Sequence, residues 1–118
     1  MNPLELFKHA HNVKQFGPGD LIFAEGTQAD GMYVILEGNV DIQIHGQTVN
    51  VLGPREIFGE MALIDEALRS ASAIAWTRCR VSKADEKQFL FMVEQTPFFA
   101  LHVMRVLVSR LRRVESKV

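Results

Sequence analysis

Short apolar runs broken by glycine set the character of the first two thirds of the chain. Leu21-Ile22-Phe23, Met32-Tyr33-Val34-Ile35-Leu36 and Val49-Asn50-Val51-Leu52 fall among glycines at 26, 31, 38, 46, 53 and 59. Val40-Asp41-Ile42-Gln43-Ile44 alternates strictly between apolar and polar, the period of a strand with one buried face. Many short strands at about ten-residue spacing, punctuated by glycine, predict an antiparallel barrel or jelly roll. Gly17-Pro18-Gly19-Asp20 reads as a turn, and Glu37-Gly38-Asn39 as a tight hairpin between two neighbouring runs.

At both ends the period changes. Asn2 can cap a helix, Pro3 suits its first position, and Leu4, Leu6 and Phe7 give it an apolar side. Beyond Lys83 the apolar positions recur at helical spacing. Ser82 with Asp85 three residues later resembles a capping box, Asp standing in for the usual Glu or Gln. A first helix carries Phe89, Leu90, Met92 and Val93 and stops near Gln95-Thr96-Pro97. Thr96 then caps a second helix with Pro97 at its first position, and Leu101, Met104, Val108 and Leu111 mark its course, with no breaker before Val118. The expected fold is mainly β with flanking helices. It is an antiparallel β jelly roll (double-stranded β-helix) over 13–82, with a short N-terminal helix in 1–12 and two C-terminal helices in 83–118.

Composition narrows this to one ordinary domain over residues 1–118. An apolar share of 47% with 23% charged residues is usual for a globular protein. A net charge of −1 gives no global field to recruit nucleic acid or an anionic membrane. No apolar run approaches the roughly 18–20 residues needed to span a bilayer, and the start lacks the basic and apolar regions of a secretory signal. The single cysteine, Cys79, cannot form an internal disulfide, which fits a cytoplasmic location. It alternates with charged neighbours between Thr77 and Val81 and reads as a small buried strand residue.

The candidate chemistry lies between two strand patterns, from Phe58 to Ser72. Gly59 frees the backbone for a sharp turn. Glu60 to Ile64 can then make one short helical turn whose free N–H groups suit an anion. Arg69 comes nine residues after Glu60, close enough for the chain to fold back over the same spot. Its planar fork of donors matches two phosphate oxygens. Ser70 adds a hydroxyl, and the Glu60 carboxylate is an acceptor pair suited to a sugar hydroxyl. A sugar phosphate is therefore a chemically sensible guest.

Phe58-Gly59-Glu60-Met61-Ala62-Leu63-Ile64 followed by Arg69-Ser70-Ala71-Ser72 resembles the phosphate-binding cassette of cyclic nucleotide-binding domains. Such domains occur in catabolite activator proteins, cyclic-nucleotide-dependent protein kinases and gated channels. Phe16-Gly17-Pro18-Gly19-Asp20 with Ile22, then Glu25-Gly26 and Met32 to Gly38, are similar to that family's early strands. The resemblance implies that Arg69 pairs with the cyclic phosphate and Glu60 takes the ribose 2′-hydroxyl. Backbone N–H groups near Gly59, Met61 and Ala62, with Ser70, would complete the cradle. Leu68 departs from the pattern, since many members have proline there. The base-facing lid would come from the last helix, through Arg112, Arg113 or Val114. Ser70, where a guanine preference is often associated with threonine, favours cyclic AMP over cyclic GMP.

The remaining features read as structural. Asp65-Glu66 sits beside no nucleophile and reads as solvated charge. His9, His11 and His45 form no convincing ligand set, so no metal is expected and no cofactor besides the nucleotide. His102 reads as a surface or interface residue. The basic tail of Arg105, Arg110, Arg112, Arg113 and Lys117 reads as the solvated side of an amphipathic helix, without a DNA-binding element. Leu101, Val103, Met104, Val106, Leu107, Val108, Leu111 and Val114 cover more than one side of that helix, which predicts a homodimer through it. The resulting expectation is a bacterial-type regulatory sensor rather than an enzyme, acting on a separate effector protein. Its alternatives are the sensory half of a catabolite activator-like transcription regulator, with DNA-binding sequence beyond Val118, an interaction module of the same fold that binds no nucleotide, and, third, a metal-dependent jelly-roll enzyme.

Overall fold

The structure, a computed structural model, describes residues 12–65 and 67–115. Residues 1–11 of the segment expected to hold a helix (1–12) therefore lie outside the described residues, His9 and His11 among them, as does Glu66. Eight strands follow one another: β1 (Val13–Phe16), β2 (Leu21–Phe23), β3 (Met32–Glu37), β4 (Val40–Ile44), β5 (Gln47–Leu52), β6 (Ile57–Phe58), β7 (Ser72–Ala75) and β8 (Cys79–Ala84). They form two four-stranded antiparallel sheets, ordered β1-β8-β3-β6 and β2-β7-β4-β5. The jelly roll read from the strand pattern is the fold. Helix α1 (Glu60–Asp65) lies between β6 and β7, and α2 (Glu86–Gln95) and α3 (Phe98–Glu115) close the chain.

Two apolar clusters meet at β3. Tyr33 and Ile35 face the space between the sheets with Val40, Leu52, Phe58, Cys79 and Val81. Met32 and Val34 face the other way, onto Met92, Phe99 and Val103 of the last two helices. A strand buried on both faces has no reason to alternate, which is why Met32 to Leu36 is continuously apolar. β4 buries Val40 fully and Ile42 in part, and Asp41 and Gln43 pair with each other (2.7 Å). Cys79 is buried as expected, its thiol directed at the carbonyls of Asn39 (3.1 Å) and Thr77 (3.2 Å).

Two local expectations are corrected. Glu37-Gly38-Asn39 is not a hairpin, because β3 and β4 belong to different sheets. The chain crosses instead over the β7–β8 connection. There Asn39 N–H donates to Thr77 Oγ1 (3.0 Å) and Trp76 N–H donates to Asn39 O (2.9 Å). Gly38, at φ +91°, passes so close that a Cβ would lie 2.2 Å from Arg78 O. The tight hairpin joins β4 to β5 through His45 and Gly46, both at positive φ (52° and 79°), the backbone such two-residue turns need. Nor does Ser82 cap a helix; it is a buried residue of β8, opposite Val13 and Val34. The cap is Asp85. Its carboxylate accepts from Gln88 N–H (2.8 Å), and the Gln88 side chain accepts from Asp85 N–H (3.0 Å). The capping box has its usual glutamine, one motif later than the sequence suggests. Thr96 closes α2, as its N–H donates to Met92 O (2.9 Å), and α3 begins just after Pro97.

Candidate functional site

Beneath α3, a cavity of about 480 Å³ opens between α1, the segment after it, and the β4–β5 hairpin. β6 delivers Phe58 to the core, and Gly59 then turns the chain into α1 at φ +76°. The segment 67–71 is strapped to the β2–β3 loop. Gln28 bridges Leu68, Arg69 N–H donates to Thr27 O (2.8 Å) and Gly26 N–H donates to Arg69 O (2.8 Å). Leu68, where proline would fix the turn, is held by that pairing instead.

Those straps carry Arg69 back onto Gly59, as the sequence predicts. The side chain is buried, with its guanidinium 4.0 Å above the Phe23 ring. One terminal nitrogen donates to Gly59 O (2.9 Å) and the other to Gly31 O (2.7 Å), with Asp30 Oδ1 at 3.6 Å. Burial lowers the guanidinium pKa, and Tyr33, Asp30 and Glu60 push it back up; an arginine keeps its charge regardless. Its Nε has no hydrogen-bond partner among the described residues.

Glu60, only 1% exposed, begins α1 beside it. One carboxylate oxygen accepts from Arg110 of α3; the other has no partner among the described residues. A cavity lined by the residues of an unsatisfied cationic donor and an unsatisfied carboxylate oxygen suits a guest carrying an anion and a hydroxyl. Among the described residues, Arg69, Arg110, Arg113 and Glu60 are its charged lining. Ile42, Ile44, Val49 and Leu52 form an apolar wall opposite, suited to a flat ring.

Of the predicted site residues, Gly59, Glu60, Met61, Arg69 and Ser70 line this cavity. Ala62 lies in the first turn of α1. Of the expected lid residues, Arg113 lines the cavity, and Arg112 is exposed and not among the described lining residues. Val114 lies in the last turn of α3 by its backbone, and its side chain is outside the described set. The sequence does not single out Arg110, one of several cations in a basic tail. Only the packing of α3 brings it to a carboxylate 50 positions away. His45 pairs with Glu25 (3.4 Å), and no cluster among the described residues could hold a metal.

The family model of the cyclic nucleotide-binding domain matches residues 13–96. The chain belongs to the cyclic nucleotide-binding domain family. A cyclic nucleotide-binding domain of this kind has relatives of several designs. It is 30% identical over 106 residues to the CRP-like cAMP-activated global transcriptional regulator of Mycobacterium tuberculosis, covering 86% of this chain and 47% of that protein. The chain thus spans about half the length of the curated regulator it matches. The crystal structure of Thermus thermophilus catabolite activator protein superposes with a TM-score of 0.87 at 30% identity, over 98% of this chain and 56% of that one. The cAMP-bound form of the EAL enzyme Bd1971 matches at 36% identity and a TM-score of 0.65, over 87% of this chain and 29% of that one. No described helix is long and apolar enough to cross a membrane.

Proposed function

We propose that this domain is a regulatory sensor that binds a cyclic nucleotide, cyclic AMP in preference to cyclic GMP, without transforming it. The observation that carries the reading is the pair of buried, partly unsatisfied groups, Arg69 and Glu60, in one cavity. Arg69, with Ser70 and backbone N–H groups at Gly59, Met61 and Ala62, takes the cyclic phosphate. Glu60 takes the ribose 2′-hydroxyl. The base lies along the β4–β5 wall under α3, with Arg113 nearest among the lid residues and Val114 beyond it. α3 carries the signal to a second copy of the chain and to a separate effector. A cytoplasmic location goes with that ligand class.

Two observations bear on the alternatives. The similar regulator from Mycobacterium tuberculosis is about twice as long as the matched span, which keeps the sensory half of a transcription regulator as a second reading of the output. Bd1971 is also solved in a cGMP-bound form, at the same 36% identity, so nucleotide preference needs direct measurement. The test is calorimetric titration with both nucleotides on the wild type, Arg69→Lys and Arg69→Ala. Loss of the charge-assisted fork lowers affinity by about a hundredfold or more, and Arg69→Lys keeps a buried cation where Arg69→Ala fails to fold. Undiminished binding in both variants overturns the assignment. A folded wild type that binds neither nucleotide supports the interaction module instead.

A further inference from the structure

The turn before β6 holds a residue that its backbone does not suit. Gly53 to Glu56 closes with Glu56 N–H donating to Gly53 O (3.2 Å), with Pro54 second and Arg55 third. Proline in the second place of such a turn goes with glycine in the third, yet Arg55 sits there at φ +75°. Among the described non-glycine residues only His45, in the β4–β5 hairpin, shares a positive φ. Arg55 N–H donates to Ile35 O (2.8 Å) and Ile35 N–H donates to Glu56 O (3.0 Å), which fixes the turn against β3. A glycine would keep both bonds. The Arg55 guanidinium has no ion pair or hydrogen bond among the described residues, so the fold gains nothing from it to offset the strain.

What Arg55 does line is a cleft of about 280 Å³ between this turn and α3. Among the described residues, Arg55, Arg105, Arg110, Arg113 and Glu56 are its charged lining. Arg110 is held by Glu60 and Ile57 O, and the Glu56 carboxylate accepts from Gly53 N–H (2.6 Å). Arg105, like Arg55, has no partner among the described residues. His102 and Ser109 add polar groups from the helix. These two lie at least about 100° round α3 from the exposed Met104, Val108 and Leu111, so helices pairing along that stripe leave the cleft open.

We propose that this cleft is a second anion site, for a diphosphate group, distinct from the main cavity. Arg55 and Arg105 line the cleft and not that cavity. Two guanidinium forks, one on a fixed turn and one on a helix, match a group with acceptor oxygens at both ends. A carboxylate, with two oxygens in one plane, needs a single fork. The volume falls just below the roughly 300–1,000 Å³ of ordinary small-molecule pockets, and the mainly polar lining suits phosphates rather than a base. Arg55 is strained in the fold because it serves a ligand.

The test is calorimetric titration with inorganic pyrophosphate, with and without saturating cyclic AMP, on the wild type, Arg55→Gly, Arg105→Gln and Arg78→Gln. The wild type should bind pyrophosphate under both conditions. Arg55→Gly and Arg105→Gln should each weaken it about tenfold or more, the loss of one charge-assisted fork. Arg78→Gln removes an exposed cation on the β7–β8 connection and should leave it unchanged. Arg55→Gly should also melt about 4 °C higher, since the strain goes with the arginine. Methyl diphosphate matching pyrophosphate supports an organic diphosphate as the natural source, and weaker binding of the ester supports the free ion. A wild type that binds no pyrophosphate at millimolar concentration overturns the inference, as does binding that survives both cleft variants, falls equally in Arg78→Gln, or is displaced by cyclic AMP. A tetraglutamate peptide that binds more tightly than pyrophosphate overturns it in favour of an acidic protein partner. An Arg55→Gly variant that melts below the wild type makes Arg55 a structural residue and overturns it too.

Discussion

A methyl group at Gly59 would lie 2.7 Å from an Arg69 terminal nitrogen and 3.3 Å from the Phe23 ring, on a backbone at φ +76°. Gly59→Ala therefore meets both a steric and a conformational penalty. It should lower stability by about 1–3 kcal/mol in denaturant unfolding and, in the folded fraction, weaken nucleotide binding by pushing the guanidinium off the Gly59 carbonyl. Binding equal to wild type would show that Arg69 does not need this seat. Asp30 acts at a greater distance. It accepts from Lys83 (2.5 Å) and faces Arg69, and the Lys83 bond holds its carboxyl below the usual carboxylate range. A depressed acid stabilises the fold above its unfolded-state value, and that contribution is lost as pH falls through the folded value. Asp30→Asn should accordingly be less stable than wild type at pH 7 and should show a shallower loss below about pH 5. Parallel acid unfolding curves would exclude this role. Gly59, Glu60 and Arg69 are legible in the sequence because their motif is local. Asp30 is not, since its partners lie 53 and 39 positions away on other elements.

Elements were readable where one face decides their pattern. The alternation of β4 and the spacing in α2 and α3 identify them correctly, because each buries one side. The crossing at Gly38 was not readable. A glycine between two apolar runs is equally compatible with a hairpin and with a change of sheet, and the deciding contacts come from the β7–β8 connection. The placement of Arg110 was hidden for the same reason. α3 shows more than its contact with the barrel requires: Val103 is buried and Val106 and Leu107 pack beside it, whereas Met104, Val108 and Leu111 are exposed. These exposed residues follow a four-then-three spacing, the seam along which two helices pair. The wild type should run as a dimer in light scattering at micromolar concentration. Val108→Glu should make it a monomer without lowering the melting temperature of the dissociated protein. A monomeric wild type would leave this stripe to another partner.

At the scale of the molecule, the cavity lies where separate parts of the fold converge. Its lining comes from β2, the β4–β5 hairpin, the end of β6, α1, the segment before β7 and α3. A ligand bound there ties the inter-sheet core to the helical one, and unfolding must release it. Binding to the native state alone stabilises by RT ln(1 + [L]/Kd), about 2.7 kcal/mol at a hundredfold excess over Kd. For a domain of this size that is a rise in melting temperature of roughly 10 °C. Cyclic AMP should produce it, and linear 5′-AMP should not. The linear phosphate has a second charge and lacks the ring that fixes phosphate and sugar in one rigid unit between Arg69 and Glu60. Arg69→Lys should lose most of the shift. Because a dimer also stabilises by mass action, the comparison must be made at one protomer concentration. Equal shifts with cyclic and linear nucleotide would mean that the cavity reads adenine and charge, not the cyclic sugar phosphate, and the roles given to Glu60 and Arg69 would fail together.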